Sequence, residues 1–498
     1  MARRAAATLA AIDIGANSVR LSIARFQGRR RKVIHEDREV IRLGASVFQT
    51  GALAPDAMAA TIKVLRRFRR ATEKFGADEV RVVATSALRD AHNARQLIDW
   101  VRLSTGWTVE VISGLEEGRL IHLGVTAYGR LRSTRVLLVD LGGGSCEFTI
   151  SVNGHIRKMW SLSLGAVRLT EEFLPRDPPK KKEIERLRSY IGEQLERIAR
   201  DVKAAHVQLA VATSGTAATL ATLHGARAVP RAAVQQLFRQ LAKLGAAGRA
   251  KLAGVGPRRA EIVVAGAALF TEMHARFGLR GFRYSPLGLR DGLLAHMAAE
   301  RERRGGQPGI IDTERWDALL AMGRHYGVDA DHAAQVRRLG FELFRGLSRL
   351  HQLPREYAEW IGAAAMLHEI GNFINRSGAR RHSAYIIAHS EIFGYTPEQR
   401  QLIAALVRFQ GRPRAGAEEP SLIRAAMVLR LARALDQSRR GAVHSVRARV
   451  GATEVTLSLT AARRQGDLEV WALEKESAYF AQVFGRMLAV KLKDTVKP

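Results

Sequence analysis

Two stretches of this chain set a carboxylate beside glycines, between two β-branched, apolar runs. The first is Asp13-Ile14-Gly15-Ala16-Asn17-Ser18, followed by the apolar residues 19–23. The second is Asp140-Leu141-Gly142-Gly143-Gly144-Ser145, followed after Cys146 and Glu147 by residues 148–152. Glycines let backbone N–H groups crowd round an anion. The aspartates would repel a phosphate, so a cation must stand between them and it. Each copy therefore implies phosphate plus a divalent metal. Strand, glycine turn and strand make a β-hairpin, not the strand-to-helix loop of nucleotide-binding proteins.

Three further segments could join these. In Ala84-Thr85-Ser86-Ala87-Leu88-Arg89-Asp90 a strand end opens a helix. Thr85 or Ser86 can cap it, and Arg89 could reach a phosphate with two donors. In Ser113-Gly114-Leu115-Glu116-Glu117-Gly118-Arg119 a carboxylate pair opens a second helix. Consecutive helical residues point in different directions, so only one of the two glutamates can face a common site. Ser214-Gly215-Thr216 is another small-residue turn of the phosphate- or sugar-binding kind. Cys146, the only cysteine, reads as a small buried hydrophobe.

Alternating strand and helix patterns must hold these residues. Residues 10–26 and 31–48 read as strands, and 55–75 as an amphipathic helix with Arg66, Arg67, Arg69 and Arg70 on a basic face. Strand 80–85, helix 86–103, strand 109–112 and helix 116–128 follow. The pattern restarts at Arg135 with three strands, a long helix to about residue 204 and strand 209–212. Two halves that open with the same hairpin suggest a duplication facing a cleft in a mixed α/β protein. Residues 300–309 read as a charged, Gly-rich linker. Residues 313–440 read as helical, 444–474 as strands and 478–492 as a final helix.

The chain has 498 residues, too many for one core, and an ordinary apolar content of 47%. One cysteine allows no intrachain disulfide and fits a reducing compartment. No run reaches membrane-spanning length, and the first residues run into Asp13 without a cleavage pattern, so a soluble cytoplasmic protein is expected. Net charge is +31. A polyanionic partner would exploit it, and an arginine-rich, solvated surface would also explain it. The arginines are spread along the chain, so no nucleic-acid arm is expected.

Taken together, these motifs resemble the exopolyphosphatase/guanosine pentaphosphate phosphohydrolase (Ppx/GppA) family of the actin–hexokinase–Hsp70 superfamily. The resemblance rests on residues 13–20, 85–91, 113–119, 140–147 and 163–168, and extends through 288–292 to His368-Glu369-Ile370-Gly371. It implies two ribonuclease-H-like (actin-like ATPase) domains, 1–130 and 131–302, facing a cleft. A helical HD-like domain at 310–440 and a small α+β region at 441–498 would follow. It also implies that Glu117 is the general base, and that Asp140, Glu147 and Asp13 hold Mg²⁺ or another divalent cation. Asn17, Ser18, Arg89, Gly142, Gly143, Gly144 and Ser145 would bind phosphate, with Ser214, Gly215 and Thr216 as a further turn. His332, His368, Glu369 and Asp436, with His382 and His389 near them in sequence, resemble an HD metal site. There Glu369 replaces an aspartate, which puts metal binding in doubt.

The expected activity is removal of the terminal phosphate from inorganic polyphosphate. A pppGpp 5′-phosphohydrolase would use the same motifs. A non-catalytic sensor of phosphorylated ligands and a sugar or acetate kinase are the readings from other classes. The resemblance further implies a homodimer, and the sequence itself leads us to expect no membrane or nucleic-acid partner. Basic residues at 376–381 and 408–414 could line a path for a long anion.

Overall fold

Residues 7–14 are apolar almost throughout, and in the computed structural model they form a central strand buried on both faces. Described are residues 6–28, 30–129, 135–207, 209–304, 310–410, 419–461 and 466–494. The chain divides into two units, Met1–Arg301 and Glu302–Pro498.

The first unit holds two sheets. One consists of β1 (Ala7–Ile14), β2 (Ser18–Gln27), β3 (Arg30–Val40), β4 (Glu79–Ala84) and β5 (Val109–Val111) in the order β3-β2-β1-β4-β5. β1, β2 and β3 are antiparallel neighbours, whereas β4 runs parallel to β1 and β5 parallel to β4. The other contains β6 (Arg135–Leu141), β7 (Cys146–Val152), β8 (His155–Leu162), β9 (Leu209–Thr213), β10 (Ala228–Pro230) and β11 (Gly281–Tyr284). Its order is β10-β11-β9-β6-β7-β8. Apart from the added β10, the second sheet repeats the first: hairpin and third strand antiparallel, then two strands parallel to the first. These are the paired ribonuclease-H-like sheets of the actin-like ATPase fold.

The two hairpin turns close in the same way. Gly15 N–H donates to Ser18 O at 3.1 Å, and Gly142 N–H donates to Ser145 O at 3.0 Å. The long helix Lys181–Ala204 and the apolar helix Val263–Phe277 pack with the second sheet in one buried cluster.

Several elements differ from the sequence reading. Residues 43–50 are a helix, Leu43–Thr50, and not the end of β3. Its short amphipathic run follows Arg42, whose left-handed backbone (φ 65°) breaks the strand. The helix expected over 86–103 is two, Ser86–Asp90 and Ala94–Thr105, because Ala91 turns extended. Within the expected linker, residues 300–304 continue the helix Leu289–Arg304 across the boundary between the units, and residues 305–309 lie outside the described residues. Glu300 is buried there, 2.9 Å from Arg81 and 3.3 Å from His296.

In the second unit, helices from Ile310–His325 to Pro420–Ala434 build one core with three strands, β12 (Val443–Val450), β13 (Glu454–Ala461) and β14 (Met487–Asp494). Leu468 to Ala472 was expected as strand but belongs to the helix Asp467–Phe484. Its buried Glu469, Ala472, Leu473 and Phe480 recur at helical spacing. Residues 487–492, the end of the expected final helix, belong instead to β14, parallel to β13, after Gly485 ends the helix in a left-handed turn. Arg408 ends the helix Pro397–Arg408, while residues 411–414 of the expected basic path lie outside the described residues. Among the described residues, no helix is long and apolar enough to cross a membrane.

Candidate active site

Hairpin geometry brings the two glycine turns into contact. A Cβ added at Gly143 would lie 3.0 Å from the Ala16 side chain and 3.1 Å from the Asn17 nitrogen. Between the sheets lies a cavity of about 730 Å³. Asp13, Gly15, Asn17, Ser18, Glu117, Asp140, Gly142, Gly143 and Ser145 line it, as do Ser214, Gly215 and Thr216. Arg89, Gly144 and Glu147 are not among its lining residues. Arg89 donates to Ile112 O at 2.7 Å and lies 3.3 Å from Glu117 Oε2. The carbonyl of Gly144 accepts from Arg168 Nε at 2.8 Å.

The helix Gly114–Tyr128 separates the adjacent glutamates. Ser113 caps it by accepting from Glu116 N–H. Glu116 then turns to Arg119, which holds it with two donors at 2.8 Å each. Glu117 turns into the cleft and is buried.

One oxygen from each of Glu117, Asp140 and Glu147 lies within 4.8 Å of the others. Asp140 and Glu147 sit opposite one another in the β6–β7 register. Thr213 Oγ1 donates to Asp140, and Ser161 Oγ donates to Glu147 Oε1 at 2.8 Å. Glu147 Oε2 and Asp13 Oδ1 are buried with no partner among the described residues. All four carboxyls are pushed to higher pKa. Burial is the largest cause for each. For Glu117 the Glu147 charge adds to burial, and Arg89 opposes it. For Glu147 the Asp140 charge adds, and the result is about 8. Crowded carboxylates with unfilled oxygens suit a hard dication, so Mg²⁺ fits this oxygen set. Burial and the neighbouring carboxylates raise the Cys146 thiol well above its ordinary value, so it stays protonated and is no nucleophile.

Residues 22–301 match the Ppx/GppA phosphatase family, and residues 315–477 match its domain III. The chain belongs to the Ppx/GppA phosphatase family. A crystal structure of the Aquifex aeolicus family member is 29% identical, with TM-score 0.52, over 61% of this chain and 100% of that one. An exopolyphosphatase from Cytophaga hutchinsonii is 25% identical, with TM-score 0.56, over 58% of this chain and 97% of that one. An exopolyphosphatase-like protein is 28% identical, with TM-score 0.55, over 59% of this chain and 98% of that one. As a Ppx/GppA phosphatase, the chain is a hydrolase.

The Ppx/GppA cleft also contains residues that the sequence reading did not assign. Arg20, Arg38, Arg259 and Arg290 line it. Arg20 pairs in register with Asp13, and its Nε donates to Ser18 Oγ at 3.0 Å. Its place in the first motif could have marked it. Arg259 Nη1 donates to Gly215 O and, at 3.1 Å, to Thr219 Oγ1. No local signal marked Arg38 or Arg259.

In the second unit, His332, His368 and Glu369 gather with one donor atom each within 4.8 Å of the others. Asp436 joins them by accepting from His332 Nδ1 at 2.7 Å and from Gly441 N–H at 2.9 Å. Both its oxygens are thereby engaged, so it orients His332. Glu369 pairs with Arg439, which already supplies a positive charge at the carboxylate. His389 is exposed and stacks on Tyr385, apart from this group, and His382 is not in it either.

Proposed function

We propose that this Ppx/GppA phosphatase is an exopolyphosphatase that hydrolyses the terminal phosphate of inorganic polyphosphate. The observation that carries the proposal is the convergence of Glu117 with Asp140 and Glu147 beside the two hairpin turns. In this reading the terminal phosphate enters between the turns, where the glycines leave backbone N–H groups open to its oxygens. Glu117 orients a water in line with the phosphoanhydride bond and takes its proton. Burial and the Glu147 charge make Glu117 a stronger base than a solvated glutamate, and Arg89 opposes that rise. Asp13, Asp140 and Glu147 would hold Mg²⁺, which supplies charge neutralisation for the phosphate oxygens when bound.

Arg20, Arg38, Arg259 and Arg290 extend donors along the same cleft. They support a chain of several phosphates over a single one. A pppGpp 5′-phosphohydrolase is the second reading, since its triphosphate would meet the same donors. Turnover of long-chain polyphosphate and pppGpp by one preparation, at equal concentrations of phosphate ends, decides between them. Faster polyphosphate release is expected, and a dominant pppGpp rate overturns the first reading. Glu117→Gln should lower phosphate release by about 10²–10⁴-fold with binding kept. Unchanged turnover would remove Glu117 as the base, and ligand binding with no turnover by either form would favour a non-catalytic sensor. We further propose a homodimer, measurable by light scattering.

A further inference from the structure

The glycine turn of the second hairpin is held by its carbonyls. Ala166 N–H donates to Gly142 O at 3.0 Å, and the N–H groups of Val167 and Arg168 donate to Gly143 O at 2.8 and 3.1 Å. These donors form the first turn of the helix Ala166–Phe173. The third carbonyl, of Gly144, accepts from the Arg168 side chain instead, whose Nε donates at 2.8 Å. Arg168 is itself fixed on two more sides. Its Nη2 pairs with Asp90, and its guanidinium lies over the Phe48 ring, 4.0 Å from the centroid. Phe48 and Asp90 belong to the helices Leu43–Thr50 and Ser86–Asp90, on the side of the first hairpin.

A trans peptide points its carbonyl and its N–H in opposite directions. Gly144 C=O and Ser145 N–H belong to one peptide. Holding that carbonyl on Arg168 therefore turns the Ser145 N–H away from Arg168. Ser145 lines the cleft, and its N–H has no acceptor among the described residues. Residues 142–145 lie between β6 and β7, so no ladder bond fixes this peptide. Gly143 and Gly144 lack a Cβ, so the turn backbone is freer to rotate than any other. Its orientation must come from a contact outside the turn, and Arg168 supplies one. Arg168 is not among the lining residues of the cavity, so it acts through the turn.

We propose that Arg168 is a positioning residue for hydrolysis: it holds the Gly144 carbonyl and so aims the Ser145 N–H at the terminal phosphate, while Asp90 and Phe48 keep its guanidinium in place. This role rests on the proposed entry of the terminal phosphate between the two turns. Donors fixed in advance need no reorganisation as the bond breaks, so their loss falls mainly on kcat. Asp90 follows Arg89 in the chain. The same ion pair thus ties the glycine turn to the helix whose Arg89 lies 3.3 Å from Glu117.

The test measures kcat and KM of the full chain and its variants, on whichever of long-chain polyphosphate and pppGpp the parent hydrolyses faster. Arg168→Met should lower kcat at least about 10-fold, with KM within about 3-fold of the parent. In Arg168→Lys the ammonium can still donate to the Gly144 carbonyl, so kcat should stay within about 3-fold of the parent. Asp90→Asn removes the charge that anchors Arg168 and should lower kcat about 3-fold. Melting temperatures of all three should stay within about 3 °C of the parent. Three results overturn the proposal: unchanged kcat in Arg168→Met, a loss that Arg168→Lys shares in full, or a loss matched by a larger fall in melting temperature. Should Arg168→Met fail to fold, Asp90→Asn decides, since that side chain is 40% exposed, and unchanged kcat there overturns the proposal. Glu117→Gln keeps the two claims apart. Parent-like turnover in that variant removes the catalytic reading of the cleft. Its loss beside full turnover in Arg168→Met overturns the positioning role alone.

Discussion

Buried titratable side chains set much of the behaviour of individual residues in this Ppx/GppA phosphatase. His274 is fully buried, stacks on Phe282, and has neither ring nitrogen partnered among the described residues. Burial lowers its pKa from 6.5 to about 4, and Arg231 adds to the effect. Above pH 6.5 both folded and unfolded chains carry it neutral, so it costs nothing there. As pH falls from 6.5 to about 4, the unfolded chain takes up a proton that the folded chain refuses. Stability present at neutral pH is lost across that window, by up to about 3 kcal/mol. Burial likewise lowers His122 and His296 to about 4. The raised carboxyls act in the opposite direction, because charging them costs the folded state as pH rises. A substitution isolates the histidine term. His274→Leu should lose less melting temperature between pH 7 and pH 4.5 than the parent does, as read by calorimetry. Parallel pH profiles would remove His274 from the account.

At the scale of elements, close backbone packing fixes the cleft. The Gly165 turn lies directly on the second hairpin. A Cβ there would meet Gly144 N at 2.2 Å and the Gly143 carbonyl at 2.3 Å. Its backbone (φ −70°) suits any residue, so the requirement is space alone. Backbone cannot yield as a flexible side chain does. Gly165→Ala should therefore displace the hairpin, cost about 1–3 kcal/mol of stability, and lower phosphate turnover. Gly248→Ala is the comparison, because a Cβ there meets only Leu244 side-chain atoms at 3.6 Å. Urea unfolding and initial rates on both variants check this, with the Gly248 variant expected within about 0.5 kcal/mol of the parent.

For the whole molecule, the net charge of +31 matters through association with a polymeric anion. Polyphosphate carries about one negative charge per phosphate, and each cation–phosphate contact releases a counterion. The KM for long-chain polyphosphate should rise about 10-fold or more between about 50 and 200 mM salt, with kcat little changed. A KM that ignores salt would mean the charge is solvated surface with no role in substrate capture. Among the described residues, the fold itself depends on separate apolar clusters of buried residues, one in the second unit and four in the first.

Local signals in the sequence determined the parts of this protein governed by short-range chemistry. Glycines after a strand, with β-branched runs on either side, make hairpins wherever they occur, so both turns and the duplication were legible. The motif order marked the family, and the carboxylates came with it. Segments whose local pattern is ambiguous were read wrongly. Residues 487–492 alternate Leu488, Val490 and Leu492 as a strand does, yet the sequence reading places them in the final helix, and only pairing with β13 resolves them. The resemblance implied Glu117 over Glu116, and only tertiary structure brought Glu117 together with Asp140 and Glu147. It alone brought Arg38 and Arg259 to the same cavity, and it alone set Arg168 on the Gly144 carbonyl. Those outcomes follow from contacts between residues far apart in the chain, and no local pattern encodes such contacts.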